Sequence, residues 1–154
     1  MSATLAVKVT KLRQSAILPD YQTEQAAGMD LHACIEQSMT LKPLERAVVP
    51  TGLALELPVG YEAQIRARSG LSIKYGLAMV NGVGTIDSDY RGEIGIPVIN
   101  LGTDSFTIEP DMRLAQMVVA RYERVVWHET ASLTETARGI GGYGSTDAPI
   151  DRIV

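Results

Sequence analysis

Polar and apolar residues alternate with a period of two along most of this chain, the repeat of a strand with one buried face. Leu5, Val7 and Val9 alternate with Thr4, Lys8 and Thr10, and after a polar stretch Leu31, Ala33 and Ile35 resume the pattern with Asp30 on the opposite face. Leu53, Leu55 and Leu57 follow between Pro50 and Pro58-Val59-Gly60, then Tyr61, Ala63, Ile65 and Ala67. The pattern breaks at Arg68-Ser69-Gly70-Leu71-Ser72-Ile73-Lys74-Tyr75-Gly76, where Ser69 and Gly76 predict the start and stop of a short helix. Ile94, Ile96 and Val98 form a further strand, and Phe106 and Ile108 another after the Gly102-Thr103-Asp104-Ser105 turn. From Arg113 to Ala120 both faces are apolar except at Gln116, which predicts a largely buried strand carrying one amide, and Val125-Val126-Trp127 closes the regular part. Many short strands separated by Gly and Pro turns, with a single short helix, predict an all-β sandwich or barrel.

One stretch is too polar for a core strand. Asn81-Gly82-Val83-Gly84-Thr85-Ile86-Asp87-Ser88-Asp89-Tyr90-Arg91-Gly92-Glu93-Ile94 opens on Asn-Gly, a signal for a two-residue hairpin because both residues accept positive φ. That turn would set Asp87 just past a bend, followed by Asp89, Tyr90 and Arg91, a concentration that reads as a site. Arg68-Ser69-Gly70 at a helix start offers a guanidinium, a hydroxyl and free N–H groups for an anion, although a serine there equally serves as an ordinary cap. Asp30 by itself reads as a solvated acid, Gln116 as a satisfied buried amide and Tyr90 as a rim aromatic.

Composition narrows the field. A length of 154 residues at 45% apolar fits one compact domain, and the net charge of −4 with pI near 5.2 argues against duplex nucleic acid as the main partner. Ten arginines against four lysines favour planar contacts to phosphate or carboxylate, or ordinary surface pairing. Cys34 is the only cysteine, so no internal disulfide forms; with only His32 and His128 beside it a zinc cluster is not expected, and all three read as structural. No apolar run is long enough to span a bilayer, so a soluble, cytoplasmic protein without a membrane partner is expected.

The chain from Arg138 onward is glycine-rich and lacks apolar periodicity, so residues 138–154 are expected to form a flexible C-terminal arm appended to a β domain over 1–137. Gly139 to Gly144 spell G-x-G-x-x-G, but without a strand-to-helix setting this is no dinucleotide fingerprint. An arginine, an aromatic and paired hydroxyls among glycines suit wrapping a phosphate chain and stacking on a base; composition equally allows a plain disordered tail.

Five segments in order resemble the trimeric dUTPase family: Ala27-Gly28-Met29-Asp30-Leu31, Arg68-Ser69-Gly70-Leu71-Ser72, Gly84-Thr85-Ile86-Asp87-Ser88-Asp89-Tyr90-Arg91-Gly92-Glu93, Arg113-Leu114-Ala115-Gln116-Met117, and Arg138-Gly139-Ile140-Gly141-Gly142-Tyr143-Gly144-Ser145-Thr146. The resemblance implies a jelly-roll-like β fold, a homotrimer with active sites shared between subunits, and Mg²⁺-dependent hydrolysis of dUTP to dUMP and pyrophosphate. By position, Asp87 matches the acid that activates the attacking water and Tyr90 the aromatic packed on deoxyribose. Asn81, Gly84, Thr85, Ile86 and Gly95 fall where uracil is read, and Arg68, Ser69, Gly70 and Gln116 match groups that hold the triphosphate. Asp30 matches an acid acting on the metal through water, and Arg138, Tyr143, Gly144, Ser145 and Thr146 match the arm. Ala67, Tyr143 and Asp147 depart from the proline, phenylalanine and glycine common in relatives. A dCTP-deaminase-like enzyme and a non-catalytic nucleotide sensor are the other readings, and the Thr85–Tyr90 run favours the diphosphatase.

Overall fold

Alternating side chains need two layers to bury their apolar face, and the computed structural model supplies them with short strands wound between sheets. It describes residues 4–142. The strands are β1 (Lys8–Lys11), β2 (Asp20–Tyr21), β3 (Met29–His32), β4 (Met39–Leu41), β5 (Arg46–Pro50), β6 (Leu53–Glu56) and β7 (Tyr61–Ala67), followed by the helix α1 (Ser69–Tyr75). Then come β8 (Leu77–Met79), β9 (Val83–Ile86), β10 (Gly95–Asn100), β11 (Phe106–Ile108) and β12 (Arg113–Arg121). The largest sheet has the order β2-β3-β12-β7-β9, a second is β5-β10-β8, and β1-β6 and β11-β4 are pairs. The mostly β, jelly-roll-like architecture with one short helix is the one the alternation and the family resemblance predict.

The inward positions of these strands form the core. Leu31, Val49, Leu53, Ile65, Ile94, Ile96, Val98 and Ile108 are buried almost completely. Asn100 is buried among them with its polar atoms satisfied: Nδ2 donates to Leu41 O at 2.9 Å and Asp104 O at 2.8 Å, and Oδ1 accepts from Gly102 N–H at 2.9 Å. The chain divides into two compact units, with the boundary between Glu123 and Arg124, and the sheets belong to the first.

Three local expectations are corrected. The amino-terminal strand is β1, later than the alternation from Leu5 suggests, and its four residues are exposed, with Val9 along an open groove. The helix starts at Ser69 and stops at Gly76, φ +73°, as the sequence predicts; Arg68 is its N-cap in an extended conformation, with no side-chain cap hydrogen bond. Regular structure ends at Arg121, and Val125, Val126 and Trp127 lie exposed beyond it. Asn81-Gly82 does not join two paired strands. β8 pairs with β10 and β9 with β7, so the turn carries the chain from one sheet to the other, and of the two residues only Gly82 takes a positive φ, +70°. Among the described residues no helix is long and apolar enough to cross a membrane.

Candidate active site

Pairing of β3, β12 and β7 brings three of the sequence segments onto one sheet face. Gln116 stands opposite Asp30 on one side and Arg66 on the other, with Ala115 opposite Ala67, so Arg68 emerges from β7 beside this row. The Gln116 amide lies across Gly28, where a Cβ would stand 2.6 Å from Oε1, and its Nε2 donates to Ala67 O at 3.1 Å.

Asp30 is buried, at 7% exposure, and holds two arginines: Arg68 Nε stands 3.3 Å from Oδ1 and Arg113 Nη1 3.2 Å from Oδ2. Arg68 Nη1 also donates to Arg113 O at 2.8 Å, and Arg113 Nη1 to Gln22 Oε1 at 3.0 Å. The isolated, solvated acid expected from the sequence is therefore the buried counter-charge of a cationic cluster. His32, on the same face, has its Nδ1 buried without a hydrogen bond among the described residues, and burial holds its pKa below the ordinary value.

Next to this cluster α1 begins. The first backbone hydrogen bond of the helix runs from Ser72 N–H to Arg68 O at 3.0 Å, so the amides of Ser69, Gly70 and Leu71 precede the helical ladder. Ser69 and Gly70 are exposed, and the space a Cβ on Gly70 would enter is open. Guanidinium, hydroxyl and N–H groups thus stand together, as an anion requires.

The second group lies along β9 and the turn after it. Asn81 folds its amide over Gly84, where a Cβ would lie 3.3 Å from Nδ2, while Thr85 is exposed and Ile86 half-buried. Asp87 follows β9 directly and is exposed, and its carbonyl accepts from Tyr90 N–H at 3.2 Å, closing the turn. The Tyr90 ring folds over Gly92, where a Cβ would collide with Oη, and its hydroxyl donates to Glu93 O at 3.0 Å. One part of the ring stays open, at 44% exposure for the residue. Gly95 stands at the start of β10, paired with Pro50 and close to Val48.

The two groups are connected through the backbone pairing of β7 with β9, and no side-chain hydrogen bond or ion pair among the described residues joins them. Arg138 lies in the second compact unit, with Nε donating to Gly141 O at 2.8 Å; Tyr143, Gly144, Ser145 and Thr146 lie outside the described residues. Two residues without a role in the sequence reading carry geometry here, Arg113 on Asp30 and Glu93 under Tyr90. Among the described residues no three His, Cys, Asp or Glu side chains gather as a cage for a metal ion. A divalent cation fits this donor set only as a hydrated ion, not in a cage of protein ligands.

A profile of the dUTPase family matches residues 14–147. A deoxyuridine 5'-triphosphate nucleotidohydrolase from Rickettsia felis is 56% identical over 141 residues, 91% of this chain and 95% of the relative. Its counterpart from Rickettsia prowazekii is 55% identical over 143 residues, 92% of this chain and 97% of the relative. Among solved structures, the dUTPase of Staphylococcus bacteriophage 80alpha with dUPNHPP superposes with a TM-score of 0.85 at 25% identity, covering 94% of this chain and 100% of that one.

Proposed function

Because the chain belongs to the dUTPase family, we propose that its two residue groups are the halves of a triphosphate-hydrolysing site. The protein hydrolyses dUTP to dUMP and pyrophosphate, a reaction that keeps uracil out of DNA and supplies dUMP for dTMP synthesis. In our reading the Asp87 carboxylate takes a proton from the water that attacks the α-phosphate. Arg68, the Ser69 hydroxyl, the Gly70 amide and Gln116 hold the phosphate chain in line with that water, where positioning and charge neutralisation supply most of the catalysis. Asp30 would hold a hydrated Mg²⁺ through water, and the ion would supply further neutralisation of the phosphate charge. The Asn81–Ile86 segment, with Gly95, presents backbone groups to the uracil edge, and the open part of the Tyr90 ring covers the deoxyribose. Arg138, Tyr143, Gly144, Ser145 and Thr146 close over the nucleotide.

The observation that carries this reading is the placement of Asp87, exposed at the end of β9 in a turn whose aromatic is pinned in place. That no side-chain hydrogen bond or ion pair among the described residues joins the phosphate-type group to the Asp87 group supports sites completed between copies, as in a homotrimer. An unfilled apolar groove of about 580 Å³, lined by Leu5, Val7, Val9, Leu18, Leu55 and Met117 among others, and the exposed Val125, Val126 and Trp127 support an assembly too. We place the trimer in the cytoplasm, where the single free cysteine stays reduced. Incubation with dUTP, dCTP and dTTP plus Mg²⁺, with identification of products, tests the reading: dUMP and pyrophosphate from dUTP alone are expected. Deamination of dCTP, or binding of dUTP without turnover, would overturn it.

A further inference from the structure

We propose that Glu93 and Arg13 form a clamp that fixes the Tyr90 ring against the body of the domain and so sets discrimination between deoxyribose and ribose. The proposal rests on the reading that Tyr90 covers the sugar. The exposed turn Asp87–Tyr90 hangs between two attachments, β9 before it and Glu93 after it. Its other side-chain bonds are local: Arg91 Nη1 donates to Ser88 O at 2.7 Å and to Tyr90 O at 3.0 Å, which shapes the turn without tethering it.

Glu93 acts at both of its ends. Its side chain accepts from Gly52 N–H at 2.8 Å and from Arg13, with Nη1 on Oε1 and Nη2 on Oε2 at 3.1 Å, the two-pronged geometry that fixes direction as well as distance. Its backbone carbonyl accepts the Tyr90 hydroxyl at 3.0 Å. The ring is therefore two bonded steps from the body, and Gly92 between them lacks the Cβ that would push it away.

The anchor itself is firm. Gly52 has φ +69°, and a Cβ there would lie 2.8 Å from both Ala16 Cβ and Cys34 Sγ, so its amide has little freedom to shift. Gly52 O accepts from Leu12 N–H at 2.7 Å, which ties the strand end carrying Arg13 to the same residue. Behind Glu93, Ile94 N–H donates to Leu53 O at 2.8 Å, and Ile94 O accepts from Thr51 Oγ1 at 2.7 Å. Three segments distant in sequence thus meet at the root of the turn. The Arg13 guanidinium also holds the Glu93 carboxyl below the ordinary carboxylate range, which keeps the clamp charged at neutral pH.

Glu93 does not touch the reacting atoms in this account; it is a positioning residue. A merely structural fastening would shift stability only slightly and lower activity on every nucleotide alike, because a partly exposed ion pair affects stability weakly and has no preference for a sugar. A clamp on the ring changes the ratio of kcat/KM for dUTP to that for UTP.

The test measures this ratio and the thermal midpoint for the full-length parent protein, Tyr90→Ala, Tyr90→Phe, Glu93→Ala, Glu93→Gln and Arg13→Gln. We expect Glu93→Ala and Arg13→Gln each to lower the ratio by about tenfold, a size that a small misplacement of a positioning group produces. Glu93→Gln, which keeps an acceptor for Gly52, should restore part of it. Adding Glu93→Ala to Tyr90→Phe should change the ratio little, because the linked hydroxyl is already gone. An unchanged ratio in both Glu93→Ala and Arg13→Gln, with Tyr90→Ala lowering it, overturns the clamp and leaves the sugar reading standing. An unchanged ratio in Tyr90→Ala overturns both. If Glu93→Ala does not fold, Glu93→Gln and Arg13→Gln decide alone.

Discussion

Gln116 rests on Gly28: the space that any side chain at position 28 would need is filled by the Gln116 amide, whose Oε1 would be 2.6 Å from an added Cβ. The same amide donates to Ala67 O, one residue before Arg68, so a single side chain spans three of the segments that carry the family resemblance. Gly28→Ala is therefore expected to displace Gln116 and raise KM for dUTP, lowering kcat/KM by about 10- to 100-fold, the usual cost of losing a supporting contact. Steady-state kinetics on the purified, folded variant would decide, and an unchanged KM would separate Gly28 from the site.

Asp30 is the counter-charge of Arg68 and Arg113, and Asp30→Asn removes the charge while keeping the shape. The two arginines then repel each other beside a buried amide. We expect a loss of about 1–3 kcal/mol in unfolding free energy, the scale for hydrogen bonds to a charged group, together with weaker dUTP binding as Arg68 swings out. Urea unfolding beside calorimetric titration with a non-hydrolysable dUTP analogue measures both, and a variant as stable and as tight-binding as the parent would contradict the role.

Arg113 shows why the sequence exposed only part of this cluster. Strict alternation along β12 puts Arg113 on the face of Ala115 and Met117, away from Gln116. A register shift between Arg113 and Ala115 turns it to pair with His32, on the face of Asp30. No periodicity in the sequence announces that irregularity. The long strands β7 and β10 were legible because burial of one face imposes the alternation directly, and β12 because its run is apolar on both faces except at Gln116. Asn81-Gly82 misled because a turn signal states that the chain bends, not which sheet it enters. Glu93 was legible only as the end of a motif, since its partners Arg13 and Gly52 lie far away in sequence and meet it only through the fold.

Asp87→Asn tests the chemistry most directly. The residue is exposed at the end of β9, so the change should leave the fold intact and dUTP binding nearly unaltered. Turnover should fall by about 10²–10⁴-fold, the range for removal of a general base. Single-turnover measurements separate binding from chemistry, and near-parent turnover would remove Asp87 from the mechanism.

His32 predicts a pH dependence of stability. Burial lowers its folded pKa below the ordinary 6.5 and outweighs the opposite pull of Asp30; Arg113 and Arg68 act in the same direction as burial, and Asp111 against it. The unfolded chain thus takes up a proton at higher pH than the folded one, so the stability due to neutral His32 is complete above about 6.5 and is lost as pH falls toward the folded value. Urea midpoints between pH 7.5 and 5.5 should decline in the parent and decline less in His32→Asn. Parallel slopes would show that His32 titrates alike in both states.

Removal of residues 138–154 should leave a folded assembly with little activity. The sheets and buried core lie within Met1–Glu123, and the described part of the deleted segment adds only exposed or half-buried residues, Ile140 among them fully exposed. Such a segment contributes little to stability, and its glycines make any fixed conformation costly in entropy. A bound triphosphate offsets that cost by giving Arg138, Ser145, Thr146 and glycine N–H groups an anion, and Tyr143 a base to cover. Closure would exclude bulk water from the α-phosphate and strengthen the contacts that act where charge develops. Sedimentation should therefore show the same oligomer for the truncated chain while kcat/KM for dUTP falls steeply. In the full chain a non-hydrolysable dUTP analogue should protect the segment from proteolysis. Full activity after truncation, or cleavage indifferent to the analogue, would take the segment out of the site and leave Asp87, Arg68 and Gln116 to act without a cover.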